Sequence, residues 1–135
     1  MKKRYIALLD GDITSHNKEG YIRLPLRPDY DNSPLQLVDF QHGKNAVTRY
    51  EILGLQTLTI EGKEHSCTRM AYYPESGRTH QLRIHSAHPD GMDCPILGDP
   101  LYGQAADRMY LHAESLKFRH PHTGEIITIE KKAPF

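Results

Sequence analysis

The run Ser76-Gly77-Arg78-Thr79-His80-Gln81-Leu82-Arg83-Ile84-His85 concentrates more chemistry than any other stretch of this chain. Arginine, histidine, glutamine and threonine crowd around Leu82 and Ile84, its clearly apolar residues. Gly77 can end a strand, and Thr79 is placed to cap a helix by accepting from backbone N–H groups one turn on. From there Leu82 faces a core and leaves Arg78 and Arg83 free to meet an anion. Guanidinium forks beside a helix start suit phosphate or carboxylate, since both favour negative charge. A solvated helix face is the competing reading. Arg83 is either a surface residue of that face or an arginine held against a catalytic carboxylate.

Tyr5 is the second residue of interest. It follows Lys2, Lys3 and Arg4 and opens an apolar strand. An aromatic ring beside cations can stack an unpaired base while the cations hold phosphate. A core tyrosine is the alternative. Other chemistries find less support. His80, His85 and His88 lie close together, but His85 and His88 share a helix face that His80 does not. No H-E-x-x-H run occurs, and no cysteine is near enough to complete a metal set. Ser76 and Ser86 lack a G-x-S-x-G setting. Asp99, in Gly98-Asp99-Pro100, reads as ordinary turn chemistry.

The elements that must position these residues are mostly strands. Residues 4–9 form one, closed by the turn Asp10-Gly11-Asp12. Residues 21–24 form a short strand stopped by Pro25, residues 27–34 a loop, and residues 35–40 a half-buried strand. In the strand over 46–55, Thr48, Tyr50 and Ile52 share one face and Val47, Arg49, Glu51 and Leu53 the other. A separate short strand over 58–60 precedes the turn Glu61-Gly62-Lys63, and another strand runs over 65–73. A helix is expected over residues 79–87, with one or two further helical turns over 105–110. Residues 111–118 and 125–131 close the fold as a strand pair. The pattern predicts an α+β domain with a mixed, mainly antiparallel sheet and one or two short helices.

Composition sets the outer bounds. The 135 residues suit a single domain, and 38% hydrophobic with 25% charged residues describes a globular protein. Acidic and basic side chains balance at 17 each, so no global field draws the chain to nucleic acid. Only local basic clusters can do so. Cys67 and Cys94 stand alone, without a CxxC pair, and Cys67 reads as a small buried hydrophobe. The apolar run after the basic start is too short for a signal peptide or membrane span, which points to the cytoplasm.

Several stretches, in order, resemble the RluA-type family of pseudouridine synthases. They are Lys2-Lys3-Arg4-Tyr5-Ile6-Ala7, Leu24-Pro25-Leu26 with Asp29, and Gly43-Lys44-Asn45-Ala46-Val47-Thr48-Arg49-Tyr50-Glu51. The run over 76–85 follows, then Pro95-Ile96-Leu97-Gly98-Asp99-Pro100-Leu101-Tyr102-Gly103, Leu111-His112-Ala113, and His120-Pro121 with the terminal Ala133-Pro134-Phe135. The resemblance implies isomerisation of uridine to pseudouridine in ribosomal or transfer RNA, with no metal or organic cofactor. It maps a tyrosine against the flipped base onto Tyr5, and an arginine paired with the nucleophilic aspartate onto Arg83. Lys44, Arg78 and His80 are expected to contact RNA or support the site.

The family carries its nucleophile in an H-R-L-D-x-x-T-S-G run, upstream of the strand that holds Tyr5. The 135 residues contain no such run. The expectation is therefore the C-terminal portion of a pseudouridine synthase catalytic domain, over residues 1–135, inactive by itself. A non-catalytic RNA-binding module and a structural remnant are the alternatives. An uncovered sheet edge would favour a homodimer.

Overall fold

The computed structural model describes residues 2–135, and it is an α+β fold dominated by antiparallel sheet. Strands β1 (Lys2–Leu9), β2 (Glu19–Arg23), β3 (Leu26–Pro28), β4 (Gln36–Val38), β5 (Val47–Ile60) and β6 (Lys63–Pro74) precede helix α1 (Gln81–Ala87). Strands β7 (Leu111–Arg119) and β8 (Ile126–Glu130) follow it. Six strands make the main sheet in the order β2-β5-β6-β1-β7-β8, and β3 with β4 forms a separate two-stranded ribbon. All strand pairs are antiparallel; one parallel bridge joins Gly98 to Ala105.

The alternation expected along residues 46–55 is found in β5 from Thr48 to Leu53, while Val47, expected on the other face, is buried as well. Thr48, Tyr50 and Ile52 are buried, and Leu53 is exposed. On that face Tyr50 and Ile52 join Ala7 and Leu9 of β1, Met70 and Tyr72 of β6, and Leu82 of α1 in the main core. The opposite face holds a smaller cluster of Leu8, Ile60, Cys67, Leu97 and Tyr110, in which Cys67 is fully buried.

Residues 58–60 are not a separate strand. β5 continues through them, past a bulge between Ile52 and Gly54. Ile52 pairs with Met70, but Gly54 pairs with Arg69. The extra residue turns the following side chains over, so Ile52 packs in the main core and Ile60 in the other cluster. Gly54, at φ +142°, takes a backbone conformation that other residues resist.

Three further sequence expectations are corrected. Residues 27–34 are not all loop, because β3 takes in Leu26–Pro28. Residues 105–110 form no helix; they lead irregularly into β7. α1 begins at Gln81, not at Thr79, and no side-chain bond caps it. His80 holds the N-cap position in the left-handed region, at φ 55°. The polar residues before the helix bond elsewhere, as the site geometry shows. Among the described residues no helix is long and apolar enough to cross a membrane.

Candidate functional site

Tyr5 and Arg83 line one cavity, of about 300 Å³. Lys3 and Tyr5 of β1 form one side, Leu82 and Arg83 of α1 another, and residues 76–78 with His80 the rim. Tyr5 stands mid-sheet, opposite Tyr72 of β6 and Ala113 of β7, at a register shift between Arg4 and Tyr5. It is half-buried against the main core. The ring packs on the core, as the core reading of Tyr5 expects, and also borders open space.

Arg83 is not a free cation. Its Nε donates to Oδ2 of Asp99 at 3.0 Å and its Nη2 to Oδ1 at 2.7 Å. Asp99 Oδ1 also accepts from the amides of Leu101 and Tyr102. Gly98, at φ +82°, brings the backbone so close to the carbonyl of Arg108 that a Cβ there would collide with it, which fixes the turn carrying Asp99. Burial pushes the Asp99 carboxyl up, but the Arg83 guanidinium and the two amides outweigh it and hold the group below its ordinary value. The bond from Asp99 raises Arg83 in turn. Asp99 is fully buried, and its oxygens are taken by these donors. It therefore orients Arg83 and, being buried and absent from the cavity lining, does not itself face a substrate.

The guanidinium carbon of Arg83 also lies 5.4 Å from the centre of the Tyr102 ring. The Tyr102 hydroxyl accepts from the Gln36 amide and lies 2.8 Å from Nδ1 of His80. Burial and the nearby Arg83 charge lower the His80 pKa. The neutral ring shares one hydrogen bond with the Tyr102 hydroxyl through Nδ1 and keeps Nε2 for another partner. His80 is thus a fixed polar wall and not a titrating base near neutral pH.

Gln81 explains why this stretch is so polar yet so well ordered. Its Oε1 accepts from Ser76 Oγ and the Arg78 amide, and its Nε2 donates to the Val47 carbonyl and Thr48 Oγ1. All four hydrogen-bonding positions of the Gln81 side-chain amide are used, so the loop over 76–78 is tied to the start of β5. His85 extends the network inward. Its Nε2–H donates to the Leu24 carbonyl, and Nδ1 takes the Thr48 hydroxyl at 2.9 Å. Burial keeps this ring's pKa below its ordinary value, despite the Leu24 carbonyl.

Four of the five site residues expected from sequence therefore share the cavity: Tyr5, Arg78, His80 and Arg83. Lys44 does not. It lines a second, larger cavity, together with Arg78. Asp99 was read as a turn residue, which it is, but its bond to Arg83 was not anticipated. Gln81 and Tyr102 were also missed as supporting residues. The three histidines diverge: His80 meets Tyr102, His85 meets Thr48 and Leu24, and His88 accepts from the Asp90 amide.

The antiparallel sheet, with a cavity of mixed polar and apolar lining between β1 and α1, is the setting in which comparison with known proteins becomes informative. Residues 1–88 match the RNA pseudouridylate synthase family, and the chain belongs to it. It is similar to the dual-specificity RNA pseudouridine synthase RluA of Haemophilus ducreyi, with 39% identity over 99% of this chain and 59% of that protein. An uncharacterized RNA pseudouridine synthase of Zymomonas mobilis is 41% identical over 98% of this chain and 53% of its own length. The chain thus spans little more than half the length of these relatives. The solved structure of human RNA Pseudouridylate Synthase Domain Containing 1 superimposes with a TM-score of 0.77 at 27% identity, covering 99% of this chain and 55% of that one.

Proposed function

We propose that this chain serves uridine-to-pseudouridine isomerisation in ribosomal or transfer RNA, in the cytoplasm, as the C-terminal portion of the catalytic domain. In this reading the cavity between β1 and α1 receives the flipped nucleotide. The observation that carries it is the meeting of Tyr5 and Arg83 in one cavity, although 78 positions separate them in sequence (83 minus 5).

Each residue has a physical task. A uridine leaving its stack loses base–base contact, and the Tyr5 ring offsets part of that loss. Arg83 supplies a fixed positive charge at the cavity wall, where it can hold an attacking carboxylate ionised and aimed. Asp99 fixes the guanidinium plane beforehand, so no reordering is needed when substrate arrives. Arg78, His80 and the neighbouring Lys44 meet the RNA backbone.

The covalent step needs a nucleophile. Neither Asp10 nor Asp12 lines the cavity, and Asp12 is occupied by Thr14. The 135 residues by themselves are therefore proposed to bind RNA without isomerising it. Incubating them with ribosomal and transfer RNA transcripts tritiated at uridine C5 tests this. The expected result is a salt-sensitive gel shift without tritium release. Release at a catalytic rate would overturn the assignment of roles, and absence of any RNA shift would leave a structural remnant of the family.

A further inference from the structure

We propose that the second cavity is a subsite for the nucleotide adjoining the one at Tyr5, a proposal that rests on the nucleotide-binding reading above. This cavity, of about 670 Å³, lies between the β3–β4 ribbon and residues 77–79. It is within the size range of small-ligand sites, about 300–1,000 Å³. Gly77 and Arg78 line both cavities, so the two are neighbours across that loop.

Its lining has the chemistry of a nucleotide site. Lys44, Arg78 and His42 face it, and none of its lining residues is acidic. Arg27 also lines it but is committed to Asp39, with Nε 2.7 Å from Oδ2. Lys44 and Arg78 are therefore the cations left for a phosphate. Arg78 is anchored by Nε to the Asn45 carbonyl at 2.9 Å, and its terminal nitrogens have no partner among the described residues. A guanidinium held by one edge at the boundary of two cavities suits the phosphodiester that links two successive nucleotides.

Tyr30 supplies the base platform. Tyr30 is 79% exposed and borders the cavity. The loop beneath it is closed by bonds from Asp29 N to Leu35 O, Asn32 N to Asp29 O and Leu35 N to Asn32 O. A large ring held out by a braced loop beside two cations gives a stacking surface without a packing role. Gly43 permits the arrangement: a Cβ there would collide with the Asp39 carbonyl, so Lys44 reaches the rim only because residue 43 has no side chain.

Proton–nitrogen correlation spectra of the full 135-residue chain test the subsite with uridine 5′-monophosphate, the trinucleotide UpUpU and inorganic phosphate. The mononucleotide should shift amides around Tyr5 and Arg83. UpUpU should in addition shift Gln36, Lys44 and Thr79. Tyr30→Ala, at an exposed position outside the Tyr5 cavity, should weaken UpUpU at least about fivefold and leave the mononucleotide unchanged, and Lys44→Ala should also weaken UpUpU at least about fivefold. If UpUpU moves only the Tyr5 cavity and binds both variants equally, the subsite is overturned while the Tyr5–Arg83 reading stands. Shifts confined to the second cavity would overturn the Tyr5–Arg83 reading and, with it, the adjoining-nucleotide subsite. If inorganic phosphate reproduces the whole UpUpU pattern, the cavity is an anion site only and the proposal fails. Silence to all three probes would overturn both.

Discussion

Replacing Asp99 by Asn isolates the charge that holds Arg83, with almost no change of shape. The Asn oxygen can keep the position of Oδ1, which accepts from Arg83, Leu101 and Tyr102. Its amide nitrogen then falls where Oδ2 accepts the Arg83 Nε, and sets donor against donor. One charge-assisted bond, about 1.5–3 kcal/mol, is lost outright. Breaking a buried pair costs about 3–5 kcal/mol. A value between the two figures applies, because Arg83 keeps 15% of its side chain exposed while Asp99 exposes none. The expected loss is about 2–4 kcal/mol, or roughly 6–12 °C in Tm for a chain of this size.

Acid unfolding gives an independent reading of the same pair. The folded Asp99 pKa lies below its ordinary value of 3.8. A depressed carboxylate contributes stability that is present above the unfolded pKa and is lost as pH falls through the folded one. The gap between wild type and Asp99→Asn should therefore be full at pH 7 and narrow below about pH 4. Urea unfolding at a series of pH values measures it, and a double-mutant cycle with Arg83→Met assigns the coupling to this pair. A variant within about 0.5 kcal/mol of wild type at pH 7, the spread of ordinary surface changes, would refute the claim that Asp99 fixes Arg83.

Gln81→Ala should cost about 2–4 kcal/mol, because it strands two buried acceptors and two donors around β5 and the 76–78 loop; hydrogen exchange should then accelerate at Arg78. His80 and His85 both have lowered pKa values, so their contribution to stability is whole above the unfolded value of 6.5 and is lost as pH falls below it; urea midpoints at pH 7.5 and 5.5 should show the decline, and a flat profile would exclude neutral burial. The sheet ends at β2 and β8, and β8 exposes Ile126 and Ile129 by 58% and 53%. Light scattering should therefore find a dimer of these 135 residues that Ile126→Lys with Ile129→Lys dissociates, while a monomer at high concentration would count against edge pairing.

What the sequence disclosed was chemistry and periodicity; what it withheld was partnership. Alternation along residues 46–52 was sufficient to place Thr48, Tyr50 and Ile52 on the core face, because a strand bound by one face must follow a period of two. The same rule misjudged residues 58–60, since a single extra residue at a bulge reverses the faces and leaves no compositional mark beyond Gly54. Helix α1 was visible in outline, but its start was assigned to Thr79 from local capping preference. The structure instead ties Ser76 and Arg78 to Gln81, whose partners on β5 lie 33 and 34 residues away. Arg78 and Arg83 show the limit most directly. They are the same residue type five positions apart, and nothing in their immediate neighbours separates them. Arg83 follows the start of α1 and turns onto Asp99, a residue that local pattern reads only as a turn. Arg78 precedes the helix, is fixed by one nitrogen to a backbone carbonyl, and keeps its remaining donors toward two cavities. The difference between an oriented charge and an available one is created by tertiary contact alone, which is why the substitutions that discriminate between them are the informative ones.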